Sequence, residues 1–307
     1  MRDNCAPNFF ILGAAKAGTT TLYETLRRHP EVFMSFEKET QFFFNDQKYA
    51  RGMEFYLNRY FVDAGGYPAR GEASPSYFQS PATVAPRLRD SLSPDNLRFI
   101  VILRDPVERA WSHYLHRRRV YAEKYAFVEA MAHEEERLVR DPALWVGYYR
   151  DGLYGKLVTE WFRYFRRDQF LFLDYEDLHQ GRDTMLEQIC LHLNVNPKAQ
   201  WPKEVVSNAA GVPRNRLFMK TLQKPRPYLR IFKKVIDKDR ISRVRRRLNR
   251  LNTRVQAKPA MDAELARWLR RQYAPDIERL ESLLGREFEH WKVPSADAGG
   301  NRDARHT

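Results

Sequence analysis

Cysteine is scarce in this 307-residue chain, which has only Cys5 and Cys190. Two thiols cannot build a disulfide framework or a four-cysteine zinc site, and they fit a reducing compartment. Long apolar runs are missing as well. No stretch reaches 18 apolar residues and the mean hydropathy is −0.66, which excludes a transmembrane helix. The run Phe9–Leu12 is too short, and Arg2 too closely offset by Asp3, for a secretory signal. With no targeting or membrane segment, a cytoplasmic location is expected. The sequence has no internal repeat and no low-complexity tract.

Net charge is absent from most of the chain, although the total is +14. Of 53 Lys+Arg, 17 fall between Arg214 and Lys258, where Asp237 and Asp239 are the only acids. The other 262 residues carry 36 basic and 37 acidic side chains. A diffuse polyanion-binding surface is not what the sequence shows and nucleic acid is not an expected partner, with a non-enzymatic polyanion-binding module built on the basic segment as the last-ranked alternative. Inside the basic segment, Leu229, Phe232 and Ile236, then Ile241, Val244, Leu248 and Leu251, recur at helical spacing. That predicts two basic amphipathic helices, an insertion over about 214–258, broken near Asp237–Asp239. Their apolar stripe either packs on a core or meets an anionic surface, membrane or acidic glycan.

What the chain does have is enough apolar surface for a large core, with 43% hydrophobic and 13% aromatic residues. Strands are predicted at Phe9–Leu12, Val32–Met34, Arg70–Ala73, Phe99–Leu103 and Phe170–Leu173. Phe99–Leu103 and Phe170–Leu173 are continuous apolar runs, as in strands covered on both faces. Helices are predicted at Thr19–Arg28, Pro81–Ser91, Pro106–Val120, Leu153–Phe165, Thr184–Leu193 and Asp262–Leu284. This alternation implies an α/β fold: one doubly wound domain on a parallel central sheet.

Between the first strand and first helix lies Gly13-Ala14-Ala15-Lys16-Ala17-Gly18-Thr19-Thr20-Thr21. A turn of this kind presents backbone N–H groups and the positive helix end to an anion. The spacing is close to the nucleotide-triphosphate loop, but Thr19 holds the place of that loop's Lys and Lys16 sits inside the turn. Phe170–Asp174, an apolar strand ending in Asp, is also compatible with a kinase or NTPase. A second block, Phe99–Pro106 with Arg104 at its end, runs into Arg109-Ala110-Trp111-Ser112-His113-Tyr114. Asp105 and Pro106 are a sound N-cap and first helical residue. His113 and His116 stand at helical spacing, more suited to packing than to a metal, and no metal site is expected.

Together the two blocks resemble those of sulfotransferases that use 3′-phosphoadenylyl sulfate (PAPS), of the bacterial and heparan-sulfate type. The resemblance implies a P-loop-nucleotide-hydrolase-like fold over residues 6–292, followed by a flexible tail at 293–307. It implies a 5′-phosphosulfate loop made by Lys16, Ala17, Gly18, Thr19, Thr20 and Thr21. Arg104 and Ser112 would bind the 3′-phosphate, with Arg214 as a further contact. A third block, Lys38-Glu39-Thr40-Gln41-Phe42-Phe43, resembles the family stretch whose Glu is the general base. Gln41 replaces a common His there, and Phe44 a frequent Asp. For a lone Glu such as Glu39, the ordinary alternative is a first-turn acid on a helix. Gly71–Tyr77 resembles the segment lining the acceptor cleft, which marks Ser74 and Tyr77, with Lys38 and Gln41, as candidate substrate contacts. The implied reaction moves a sulfuryl group from PAPS to a hydroxyl or amine of a carbohydrate, lipid or small molecule. Lys16 would stabilise the leaving phosphate and Glu39 would accept the proton.

Overall fold

The strand β1 (Phe9–Gly13) is the middle strand of a five-stranded sheet, and all five of its residues are buried. A computed structural model of the chain describes residues 5–141, 144–201 and 259–292, together with the backbone of 211–213 and 253–255. The other strands of the main sheet are β2 (Val32–Met34), β3 (Ala69–Ala73), β4 (Arg98–Leu103) and β5 (Phe170–Asp174). All pairings are parallel, in the order β2-β3-β1-β4-β5. Each predicted strand is therefore present to within a residue at either end.

Eleven helices are described: α1 (Thr19–Leu26), α2 (Asp46–Tyr49), α3 (Gly52–Tyr60), α4 (Pro81–Ser91), α5 (Pro106–Arg119), α6 (Phe127–Ala132), α7 (Glu134–Arg140), α8 (Tyr154–Trp161), α9 (Asp177–Gln180), α10 (Arg182–His192) and α11 (Ala263–Leu284). From β1 the chain moves through α1 to the β2 edge, whereas every later crossover moves the other way. Right-handed crossovers in opposite directions put α1 on one face and α4 and α8 on the other. In keeping with this, α4 packs on α8, and α8 on α11. The connections from β1 and β4 thus diverge, and the crevice between their C-terminal ends is the switch point where α/β sheets bind ligands.

The core explains the register. Phe10 and Phe99 stack across β1 and β4 with ring centroids 6.3 Å apart, and Phe99 continues onto Phe170 at 4.7 Å. Gly71 in β3 is required by close approach, since a Cβ there would lie 2.3 Å from the Phe9 ring. Trp161 is fully buried and donates its indole N–H to the Phe78 carbonyl at 2.9 Å. The predicted helix over 153–165 stops at Trp161, and Phe162 to Phe165 form turns against the core.

Helix α8 is begun by a residue far away in sequence. The Asp276 carboxylate, on α11, accepts from the backbone N–H of Gly155 at 2.7 Å and of Lys156 at 2.9 Å. These are first-turn amides with no acceptor inside their own helix. Asp276→Ala should therefore cost about 1–3 kcal/mol, read as a lowered Tm, without loss of any group at the switch point.

The chain divides into two units, residues 1–206 with 261–307, and residues 207–260. In the second, Gly211–Pro213 and Thr253–Val255 pair antiparallel. The predicted basic helices, Arg214 and the tail at 293–307 lie outside the described residues.

Candidate active site

The loop after β1 is shaped by two left-handed residues, Lys16 (φ 70°) and Gly18 (φ 86°), which turn the chain into α1. Gly18 is needed on two counts. Its conformation favours glycine, and a Cβ would lie 2.4 Å from Leu178 Cδ1. Gly18 is also the N-cap of α1 and supplies no capping side chain. The first-turn amides of Thr19, Thr20 and Thr21 therefore point out of the helix without an intrahelical acceptor. That is the donor set an oxyanion takes. Ala17 and Thr19 are buried, while Thr20 and Thr21 are half-buried.

β4 brings Arg104 to the same place. Its guanidinium donates to the Lys16 carbonyl at 3.1 Å and lies 4.5 Å over the Tyr175 ring. It also reaches Glu108 at 3.4 Å. Asp105 caps α5 as expected, accepting from Val107 N–H at 2.8 Å and Glu108 N–H at 3.2 Å. Arg270 of α11 pairs with its other oxygen at 2.6 Å. The α5 N-terminus is thus already occupied by a protein carboxylate, whereas that of α1 is not. Ser112 stands two helical turns beyond Arg104, on the side of α5 that Glu108 shares by i, i+4 spacing.

Lys16 sits in a field of cations. Burial pushes its ammonium down to about 8, Arg119 pushes the same way, and Glu39 opposes them. Lys38 and Arg104 add smaller depressions. His116 is lowered to about 4, by burial first and then by Lys16. Lys16, Lys38, Arg104 and Arg119 therefore share one electrostatic neighbourhood with Glu39 as the opposing charge. His113 is fully buried, its ring against Trp145 at 4.2 Å and Tyr148 at 5.0 Å.

Glu39 is not on a helix. It lies in a loop with φ 63°, and Gln41, two residues on, has φ 53°. The helix-dipole alternative for Glu39 is thereby set aside. The Glu39 side chain is half exposed and takes a 2.6 Å contact from Lys38 Nζ, whose own side chain is mostly covered. Backbone bonds fix the loop to the end of β3: Glu39 N–H donates to the Ala73 carbonyl at 3.0 Å, and Gln41 N–H to Ser74 Oγ at 3.3 Å.

Ser74 and Tyr77, expected to touch the acceptor, are fully buried. Ser74 Oγ accepts from Gln41, and the Tyr77 hydroxyl accepts from Phe43 N–H at 3.1 Å. Their hydroxyls bond to the backbone of the 39–43 loop and support it. Sequence reasoning passed over Tyr175, which covers Arg104, and Glu72, which lies beneath the loop. Glu72 stands inside the Gly71–Tyr77 block, but nothing in a linear pattern distinguishes a buried carboxylate from an exposed one.

Asp174, the strand-end acid compatible with an NTPase, is also accounted for. It is buried, accepts from Glu176 N–H at 3.1 Å, and pairs with His290 at 3.1 Å and Arg286 at 3.6 Å. Its carboxylate is held by the C-terminal end of the described chain.

A family model described as the sulfotransferase domain matches residues 6–210. The chain belongs to the sulfotransferase family. Among solved structures, a sulfotransferase from Alicyclobacillus acidocaldarius is similar with a TM-score of 0.67 and 26% identity, over 93% of this chain and 98% of that one. The membrane-associated sulfotransferase kil1 of Dictyostelium discoideum is 36% identical over 143 residues, 44% of this chain and 29% of its own. The human bifunctional heparan sulfate N-deacetylase/N-sulfotransferase 3 is 31% identical over 204 residues, 62% of this chain and 22% of its own. The chain thus spans less than a third of the length of these curated relatives. Sulfotransferases of this family use PAPS, and the α/β fold with a five-stranded parallel sheet is theirs. Among the described residues, no helix is long and apolar enough to cross a membrane.

Proposed function

We propose that the chain transfers a sulfuryl group from PAPS to a hydroxyl or amine, with Lys16 and Glu39 as the catalytic pair. The observation that carries this reading is the junction of the two motif blocks, where Arg104 donates to the Lys16 carbonyl beside the uncapped start of α1. The donors fit a nucleotide phosphosulfate: amides of residues 18–21, the threonine hydroxyls and Lys16 for the 5′ end, Arg104 and Ser112 for the 3′-phosphate. The engagement of Asp174 by His290 and Arg286 favours this over a kinase, which would need a free strand-end acid. Arg214 remains a candidate third contact to the 3′-phosphate.

In the step itself, the acceptor's lone pair forms an S–O or S–N bond as the S–O bond to the 5′-phosphate breaks. The electron pair leaves on the phosphate oxygen, where Lys16 and the loop amides meet growing charge, so they favour the transition state more than the ground state. Glu39 takes the acceptor proton, within hydrogen-bond reach in the ternary complex. Lys38 pairs with the Glu39 carboxylate and would contact the substrate beside it. Gln41 would be a further substrate contact from the same loop. The basic segment 214–258 would draw an anionic acceptor or surface toward the domain, by long-range attraction rather than chemistry.

Arg104→Ala should weaken binding of adenosine 3′,5′-bisphosphate about 10- to 100-fold, the scale of lost bonds to a charged group. Calorimetric titration of the variant against the parent protein reads this. The activity is tested by following radiolabelled sulfur from PAPS into a panel headed by a glucosamine oligosaccharide with free hydroxyls and amines, with lipid and phenolic acceptors beside it. Transfer to a panel member, with the product heavier by one sulfuryl group, supports the reading. Absence of transfer across the whole panel, with PAPS unbound, contradicts it.

A further inference from the structure

The buried carboxyl of Glu72 has no place in the reaction just described, and its surroundings are unusual for a core residue. It is fully buried near the end of β3. One carboxylate oxygen accepts from Thr40 Oγ1 at 2.7 Å and from the Tyr56 hydroxyl at 2.7 Å. Burial raises the carboxyl above its ordinary range, and the hydroxyls of Tyr77, Thr40, Tyr56 and Ser74 oppose that rise. A buried acid is costly for packing alone, because an apolar residue of that size would need no partners.

Thr40 lies between Glu39 and Gln41, the two left-handed residues of the loop. Three consecutive residues of the β3 end grip three consecutive residues of the loop. Glu72 holds the Thr40 side chain, the Ala73 carbonyl holds the Glu39 amide, and Ser74 Oγ holds the Gln41 amide. From the other side, Lys48 Nζ donates to the Thr40 carbonyl, and Arg87 to the Phe43 carbonyl at 3.1 Å. Left-handed backbone at two non-glycine residues persists only where the surroundings over-determine it. Thr40, the residue between them, is held through its hydroxyl by Glu72 and through its carbonyl by Lys48.

We propose that Glu72 is a positioning residue that acts through Thr40 to aim the Glu39 carboxylate at the acceptor. The inference rests on the reading of Glu39 as the base. Removing the Thr40 hydroxyl frees the loop to leave the left-handed pair, and Glu39 then samples orientations in which no proton transfer occurs. Donor binding is untouched, since the β1–α1 loop and Arg104 lie on other strands.

The test compares Thr40→Val, Thr40→Ser, Glu72→Leu, Glu72→Gln and Glu39→Gln in the full chain, with PAPS as donor and the glucosamine oligosaccharide as acceptor. Thr40→Val and Glu72→Leu should each lower kcat about tenfold or more, the scale of misplaced catalytic groups, whereas Glu72→Gln, whose amide oxygen still accepts from Thr40, should stay close to the parent. Affinity for adenosine 3′,5′-bisphosphate should stay as in the parent, and Thr40→Ser, which keeps the hydroxyl, should restore kcat. Ile189→Val, a truncation in the core of α10, serves as a stability control: it lowers Tm without lowering kcat. Added to Glu39→Gln, Thr40→Val should reduce kcat no further, because two residues acting through one carboxylate are not additive. Wild-type turnover in Glu39→Gln overturns the assignment of the base itself, and this inference with it. An inactive Glu39→Gln beside a Thr40→Val variant within about twofold of wild-type kcat overturns the positioning role alone.

Discussion

Lys16→Ala is expected to lower turnover about 10²–10³-fold, the cost of removing one preorganised donor from a developing oxyanion. The loss should appear in kcat as well as in kcat/KM, because the ammonium matters most when charge reaches the leaving phosphate. Initial rates of labelled sulfur transfer measure it. The same residue predicts a pH dependence. Burial and the neighbouring Arg119 hold the Lys16 ammonium at about 8 in the unliganded protein. It is charged below that value and neutral above it, so kcat/KM for PAPS should fall as pH rises through about 8. Lys16→Arg keeps its charge throughout and should lose this alkaline limb.

The stability consequence has the opposite sign. Between about 8 and the ordinary lysine value of 10.5 the unfolded chain binds more protons at this position, so stability rises with pH there. At neutral pH the charged Lys16 is a burden on the fold. Lys16→Met, which keeps the length and drops the charge, should therefore raise Tm while lowering turnover as far as Lys16→Ala does. A variant that lost both activity and stability would place Lys16 among the structural residues instead.

Glu39→Gln is the second large effect, an expected loss of about 10²–10⁴ in kcat, as for removal of a general base. The substitution preserves size and the backbone bond to Ala73, and it leaves the β1–α1 loop intact. Affinity for adenosine 3′,5′-bisphosphate should therefore be unchanged. The half-exposed position of Glu39 suits a base that must meet an incoming acceptor, and Lys38 Nζ contacts its carboxylate at 2.6 Å. Turnover at the parental rate would remove Glu39 from the reaction.

β1, β2, β4 and β5 were legible in the sequence because they are nearly unbroken apolar runs, and helix starts such as Asp105-Pro106 carry their own capping chemistry. The junction of Lys16 with Arg104 was legible for a related reason. Each lies at a strand-to-helix turn, and a parallel sheet aligns such turns along one edge. What could not be read was set by contacts between distant segments. Asp276 opens α8 from more than a hundred residues away, and Trp161 ends it by turning into the core. The short helices α2, α3, α6 and α7 carry too little periodicity to stand out. Ser74, Tyr77 and Glu72 share a segment whose residue types suit a polar cleft, yet burial turns their side chains onto the 39–43 loop. No linear pattern tells those two arrangements apart.

The mechanism requires that the crevice between β1 and β4 hold a nucleotide recognised by its 3′-phosphate. Calorimetric titration of the full chain with adenosine 3′,5′-bisphosphate, adenosine 5′-phosphate and ATP with magnesium tests it most directly, and needs no knowledge of the acceptor. Saturable binding of the bisphosphate, weakened about 10-fold or more when the 3′-phosphate is absent, is the predicted result. Binding of ATP with magnesium as tightly as the bisphosphate would contradict it.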